Sequence, residues 1–170
     1  MKGHMTNGTI MFLKKLAEKY KNLDLFLMTG SQGALAYYEH DKKRSIFQAG
    51  RSYEIIAESG HLRKAGYVVM NHIPVAEDSK PVFEDNFKKR RQEVDQMPGF
   101  LAFRLLRPLK GNTYIVMTQW ATETDFENWK KSSAFQKAHD KQAVKQPAYF
   151  AERPFATAYW MYKEKENREL

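Results

Sequence analysis

Residues 120–139 read W-A-T-E-T-D-F-E-N-W-K-K-S-S-A-F-Q-K-A-H, and the way this stretch divides into helices decides the fold of the half of the chain around it. Trp129 and His139 stand ten residues apart. On one straight helix ten residues turn the chain through about 1000°, leaving the two side chains about 80° apart instead of on one face. Two capping boxes predict a break between them: Thr124 with Glu127, and Ser133 with Gln136, each an N-cap hydroxyl followed three residues later by a side chain that reaches back. The stretch therefore reads as two short helices meeting at Ser132 and Ser133. Phe126 and Trp129 are an i, i+3 pair on the first, and Phe135 and His139 an i, i+4 pair on the second. A helix Trp is commonly a core anchor, and a His beside an apolar neighbour is commonly a hydrogen-bonded core residue. Spacing alone leaves both a packing role and a functional role open for the pair.

Upstream, Tyr67 to Val75 is apolar and rich in valine, and reads as a strand. Alternation puts Val69, Asn71 and Ile73 on one face and Val68, Met70 and His72 on the other. An Asn inside such a run is costly unless its amide finds partners, in the neighbouring backbone or in a ligand, while His72 reads as an ordinary sheet residue. Ser79 as N-cap and Pro81 in the first turn open a long helix with Phe83, Phe87 and Val94 on its buried stripe, ended by Pro98-Gly99. Phe100 to Arg107 and Thr113 to Trp120 form a hairpin around P-L-K-G-N. Beyond the helix pair, after Pro147 and Pro154, Phe155 to Tyr162 is a last strand, followed by the charged tail K-E-K-E-N-R-E-L, which reads as frayed. From Gly66 the order is strand, helix, strand, strand, helix pair, strand, the split βαβ or ferredoxin-like arrangement of the α+β class. Its helices cover one face of a four-stranded antiparallel sheet, so Asn71 is expected to look toward the helices that bear Trp129 and His139.

The remaining part reads as a smaller α+β domain. Thr9 caps a helix with Ile10, Leu13, Leu16, Ala17 and Tyr20 at helical spacing. Asp24 to Met28, Ala34 to Glu39 and Ser45 to Ala49 read as strands, and Tyr53 to Glu58 as a short helix stopped near Gly60. Gly3, His4 and Met5 read as a cloning remnant and carry no argument. Two glycines in Ser59 to Gly66 mark a compact boundary, dividing the chain into an N-terminal domain, residues 1–65, a ferredoxin-like domain, residues 66–162, and the tail, residues 163–170.

With 42% hydrophobic and 28% charged residues, the composition is that of a soluble globular protein. The chain has no cysteine, which excludes disulfides, thiolate nucleophiles and cysteine metal sites and suits a reducing cytoplasm. Near the start the apolar run Ile10 to Leu13 is far too short for a signal or a membrane span, so a cytoplasmic protein with no membrane partner is expected. The net charge of +8 is spread out, with 11 basic against 6 acidic side chains up to Ala65 and 17 against 14 beyond. Its densest run, Lys88 to Arg91, is flanked by Glu84, Asp85, Glu93 and Asp95, as on a solvated helix face. No nucleic-acid-binding pattern accompanies it, which turns the expectation from nucleic acid toward a small anionic ligand or plain solubility.

The segments V-M-N-H-I, W-A-T-E-T-D-F-E-N-W and S-S-A-F-Q-K-A-H together resemble the IsdG-type haem-degrading monooxygenases of the antibiotic-biosynthesis-monooxygenase superfamily, over about Gly66 to Tyr162. The shared pattern is an Asn on the first strand followed by W-x9-H on the helices. N-G-T-I-M-F-L, S-Y-E-I-I-A-E-S-G and F-R-L-L-R-P-L-K-G-N-T-Y extend the resemblance to the two-part bacillar relatives called haem monooxygenase B and to the signal transduction protein TRAP. In the TRAP branch the Asn, Trp and His positions are not all kept, whereas Asn71, Trp129 and His139 stand together here, which favours the enzyme.

The resemblance implies haem as both substrate and cofactor, opened by O2 and external electrons with release of iron. It implies His139 as the axial iron ligand beside Phe135, Asn71 as a hydrogen-bond donor to dioxygen, and Trp129 as a ring that distorts the porphyrin. The sequence has no flavin or dinucleotide fingerprint, so a reductase partner or a chemical reductant is implied as the electron source. Single-domain relatives pair as homodimers through their sheets. Residues 1–65 are expected to take the partner's place, giving a monomer with an internal pseudo-dimer, or a weak homodimer. Two other classes stay open: a non-catalytic TRAP-like regulatory or haem-binding protein, and a cofactor-independent oxygenase of aromatic phenols in which His139 is an acid–base group.

Overall fold

The structure is a computed structural model that describes residues 1–132, 135 and 152–164, the side chains of 90–92 excepted. Eight strands, β1 (Lys2–Gly8), β2 (Phe26–Gly30), β3 (Gly33–His40), β4 (Arg51–Gly60), β5 (Tyr67–Pro74), β6 (Phe100–Pro108), β7 (Thr113–Trp120) and β8 (Phe155–Met161), close into one barrel in the order β1-β3-β2-β8-β5-β7-β6-β4. Three helices lie outside it among the described residues: α1 (Ile10–Lys19), α2 (Lys80–Val94) and α3 (Glu123–Lys131).

Within the ring, β8-β5-β7-β6 has the first strand of its half between the fourth and third, with the second at the far side, the ferredoxin-like order expected from Gly66 onward. The run β4-β1-β3-β2 repeats that order with the strands of the first half. The halves meet at two antiparallel seams. At one, β4 pairs with β6 from Tyr53↔Pro108 to Gly60↔Ala102; at the other, β2 meets β8 only at Met28↔Met161 and Thr29↔Trp160. Gly30 keeps the short seam tight, since a Cβ there would run into the Ala158 carbonyl. The open four-stranded sheet of the sequence reading is thus replaced by a closed one, which leaves no unpaired strand edge.

Alternation then sorts the core into three layers. Met5, Met28, Leu35, Tyr37, Met70, Leu106, Ile115 and Met117 fill the barrel. On the outside of the first half, Leu13 of α1 and Phe47 pack on Ala36 and Tyr38. On the outside of the second, Phe83 and Val94 of α2 pack on Leu105, Tyr114 and Trp120, with Phe87, Phe126 and Trp129 partly buried against them. One charged side chain lies inside the barrel wall. Arg104, 4% exposed, donates through Nε to Glu39 of the first half at 2.9 Å and through a terminal nitrogen to the carbonyls of Ser59, Gly60 and Phe103. Tyr37 donates its hydroxyl to the same Glu39 at 2.7 Å, and burial, reinforced by that carboxylate, holds the phenol protonated. The pair spans the two halves in a low-dielectric interior, which makes its satisfaction essential.

Several expectations in the first half are corrected. Residues 53–58 form no helix; they belong to strand β4, where Tyr53 and Ile55 face the interior while Ala57 packs on the outer layer. A register shift between Ile55 and Ala57 lets apolar residues reach both faces, which mimics a helical period in the sequence. No strand forms over Ser45 to Ala49, which is irregular. Gly3, His4 and Met5, set aside in the sequence reading, are part of β1, with His4 and Met5 completely buried. Elsewhere the reading was close: Thr9 caps α1 by accepting from the Phe12 amide at 3.2 Å, and Pro81 stands at the start of α2. No helix among the described residues is long and apolar enough to cross a membrane.

Candidate functional site

The outer face of the second half carries the residues that the sequence singled out. β5 presents Tyr67, Val69 and Asn71 there, and in register Asn71 lies between Val116 on β7 and Ala156 on β8. Val69 lies beside Ala158 and Tyr67 beside Trp160. The floor at Asn71 is therefore made of small and apolar side chains, and Asn71 and Ala156 are exposed. Asn71 is not a buried core amide; its side chain stands at the surface between the buried Val116 and the exposed Ala156.

The wall comes from α3. Its N-cap is Thr122, two residues before the expected Thr124: the Thr122 hydroxyl accepts from the Asp125 amide at 3.1 Å and donates to the Asp125 carboxylate at 2.8 Å. Gly99, at φ +79°, makes the room, because a Cβ there would collide with the Asp125 carboxylate. The early start fixes which face α3 presents. Phe126 packs between Tyr67 and Trp120, and the Trp129 indole stacks over Trp120 with centroids 6.4 Å apart and planes 26° apart. Trp120 is fully buried and held by a hydrogen bond from its indole nitrogen to Thr118 Oγ1 at 3.0 Å.

The break expected at Ser132 is present. Ser132 is extended (φ −68°, ψ 153°), its hydroxyl donates to the Trp129 carbonyl at 2.7 Å, and its oxygen accepts from the Phe135 amide at 3.2 Å. One serine thus closes α3 and opens the turn that carries Phe135. The Phe135 ring then meets the Trp129 indole edge-on, centroids 5.6 Å apart. The Ser133–Gln136 box and His139 lie outside the described residues. Among the described residues no three His, Asp or Glu side chains cluster as a metal site.

Asn71, Trp129 and Phe135 are thus gathered on one side of one sheet, with Trp129 and Phe135 in ring contact. Trp120, Tyr67 and Trp160 were not singled out from the sequence. Trp120 backs the Trp129 indole, and the half-exposed Trp160 packs on Tyr67 at 4.7 Å. The alternation A156-A158-W160 on β8 was the available signal, since two alanines on the face beside Asn71 leave space there. Burial raises the Tyr67 phenol above its ordinary value, and Glu123 and Glu127 push the same way, so the ring stays neutral. His72 faces the other way, into the barrel. It lies against Phe155 with ring planes 2° apart and is within 2.9 Å of Thr157 Oγ1; burial, then the Arg51 charge, brings it down to about 4.

Two ferredoxin-like strand sets joined in one barrel, with an aromatic-walled open face on the second, define the class to which this α+β protein conforms. Residues 66–141 match the model of the family described as antibiotic biosynthesis monooxygenase. The chain is 26% identical over 128 residues to a heme-degrading monooxygenase of Listeria monocytogenes, covering 75% of this chain and 76% of that protein. It is also 26% identical over 139 residues to the signal transduction protein TRAP of Staphylococcus epidermidis, covering 82% and 83%. A solved structure described as a major regulator of staphylococcal pathogenesis superposes with a TM-score of 0.86 at 26% identity, covering 96% of this chain and all of that one.

Proposed function

We propose that the protein is a haem-degrading monooxygenase that binds haem on the outer face of β5, β7 and β8. The observation that carries this reading is the exposed Asn71 amide beside Ala156, on the same outer face of the sheet as the stacked Trp120 and Trp129 rings. That surface suits a flat, largely apolar group: Ala156 and Ala158 offer contact without bulk, and Trp129 and Phe135 offer ring faces and edges. Bound haem would supply redox-active iron and be itself the substrate, its ring opened with O2 and external electrons.

The chain's own residues have distinct tasks in this reading. Asn71 donates an amide hydrogen where negative charge develops on oxygen, a bond of about 1.5–3 kcal/mol to a charged acceptor. Trp129, backed by Trp120, presses on the ligand and resists displacement, so strain falls on the ligand. Phe135 excludes water from the same side. His139, from the W-x9-H pattern, would hold the haem iron through a neutral imidazole nitrogen. The repeated strand order supports a further part of the proposal, in which residues 1–65 stand where a second subunit would, as an intrachain pseudo-dimer. Sedimentation of the chain as a monomer is expected; a tight homodimer through the β5–β8 face would oppose it.

The reading is tested by adding hemin to the protein, then ascorbate under air, and following the Soret band. Appearance of the band followed by its decay is the expected result. The similarity to TRAP spans more of the chain than that to the heme-degrading enzyme, and it favours a second reading as a non-catalytic regulatory or haem-binding protein. A Soret band that forms and then persists through reductant would select that reading.

A further inference from the structure

We propose that a cleft at one end of the barrel, separate from the Asn71 face, is a binding site for a small aromatic phosphate. The cleft has a volume of about 590 Å³ and lies between the connection that precedes β4, the first residues of β4 and the β6–β7 turn. Its charged lining residues are Lys43, Arg51 and Lys110, one from each of these segments, and no carboxylate lines it. Among the described residues none of the three forms an ion pair; Arg51 donates to the neutral Asn7 side chain at 2.9 Å, which leaves its charge uncompensated. That charge is felt locally, opposing the upward push of burial on the Tyr53 phenol and lowering His72. Three like charges from separate segments on the rim of one cleft, with no carboxylate among the lining residues, draw an anion to it.

The floor supplies the other half of the specificity. Phe47 and Tyr53 are buried and Leu109 is half-buried, so an apolar ring finds contact below the cationic rim. The volume falls within the range of roughly 300–1,000 Å³ of small-molecule sites. Lysine and arginine are the usual phosphate-binding side chains, arginine through paired donors and lysine as a point charge. The cleft owes its existence to the irregular residues 41–50, which stand where a second helix of the first half would run.

Calorimetric titration of the full chain with adenosine monophosphate, inorganic phosphate and adenosine in separate experiments tests the assignment. Adenosine monophosphate is expected to bind saturably at one site per chain, and more weakly as salt rises. Phosphate and adenosine alone are each expected to bind at least about tenfold more weakly, because each uses half of the cleft. Arg51→Gln and Lys110→Gln, both at exposed positions, should each weaken the nucleotide about tenfold, with Lys19→Gln on α1 as an unaffected control. Equal affinity for phosphate and the nucleotide would overturn the ligand class. Variants that bind as well as the parent, or no saturable binding, would overturn the site; haem chemistry at Asn71 is untouched by any of these outcomes.

Discussion

The two outer faces of the barrel rest on the same strand order and end up opposite in character. Met5 on β1 and Met70 on β5 both point inward and are fully buried, so the next residue of each strand, Thr6 and Asn71, points outward at an equivalent place. In the first half that face is sealed. Residues 41–50 lie across it, tied by Thr6 donating to the Ala49 carbonyl at 3.1 Å and by the His4 ring nitrogens at 2.6 Å from Ser52 Oγ and 3.1 Å from the Lys42 carbonyl. The Tyr38 hydroxyl accepts from the Ile46 amide at 3.0 Å. In the second half the element after the third strand is α3, whose aromatic face stands beside the floor, and Asn71 remains exposed. Among the described residues, one topology therefore gives a covered Thr6 and an exposed Asn71, according to whether the element after the third strand lies flat or begins as a helix.

The largest expected effect comes from what binds the halves together. Arg104→Ala takes the Nε donor from Glu39 and should cost about 3 kcal/mol, the low end of the usual penalty for removing one partner of a buried ion pair, because the Glu39 side chain keeps 20% of its surface in water. Urea unfolding followed by Trp fluorescence and by far-ultraviolet dichroism should shift as one transition; separate transitions would mean that the halves are independent units. Next come Trp129→Ala and Asn71→Ala on the open face. Each should retain haem binding yet slow decay of the Soret band, Trp129→Ala by about fivefold to several thousandfold if ligand strain of about 1–5 kcal/mol is lost. His139→Ala should lose stable haem binding. An Asn71→Ala protein with undiminished decay would remove the functional meaning of the difference between the faces.

The two histidines offer a smaller, pH-dependent comparison. Burial is the largest cause of the lowering at both His72, brought to about 4, and His4, where the Lys42 carbonyl partly opposes it. Because both folded values lie below the unfolded value near 6.5, protonation favours the unfolded chain. The stability tied to these neutral rings is complete above about pH 6.5 and is lost as pH falls through each folded value, toward 4 for His72. For His72 the loss should reach about 2 kcal/mol, discounting the full shift for the ring's partial exposure. Stability differences between the parent and His72→Gln, measured by urea unfolding at pH 7 and pH 4.5, should narrow at the lower pH; a pH-independent difference would contradict the burial of the neutral ring.

What was legible in the sequence followed strength of periodicity. From Tyr67 to Trp120 apolar alternation, Pro81 and the P-L-K-G-N turn all agree, and the strands, the hairpin and the helix start came out within about a residue of their observed ends, while the helix stops at Val94, ahead of the Pro98-Gly99 expected to end it. In the first half the signals conflict. The β1 segment G-H-M-T-N looks too polar for a buried strand because His4 and Thr6 find their partners in residues 42–52, which no local pattern reveals. Strand β4 hides behind Y-E-I-I-A-E, whose adjacent isoleucines reflect a shifted register in a strand covered on both sides. At the site, spacing found Trp129 and the break at Ser132 but not Trp120, since a strand-end Trp stacked under a helix Trp is a tertiary event. The barrel closure was invisible for the same reason: it depends on Met28 and Thr29 finding Met161 and Trp160 across more than a hundred residues of chain.

The finest test sets the two equivalent outward residues against each other. Thr6 is 6% exposed, and its hydroxyl bonds to a carbonyl that Thr6→Val would leave without that donor, at a cost of about 1 kcal/mol. Valine keeps the shape and the strand propensity, so the loss is assigned to the bond and not to packing. Asn71 is exposed, and Asn71→Val replaces a surface amide by a better strand former, so stability should change by no more than about 0.5 kcal/mol in either direction. Thermal unfolding of both variants beside the parent measures the difference directly. If Asn71→Val destabilises as much as Thr6→Val, the amide is a structural strut and the second face is as closed as the first. A neutral or stabilised Asn71→Val leaves an Asn that the fold does not need at a position flanked by Val116 and Ala156, and a polar residue there without a structural task is one available to a ligand.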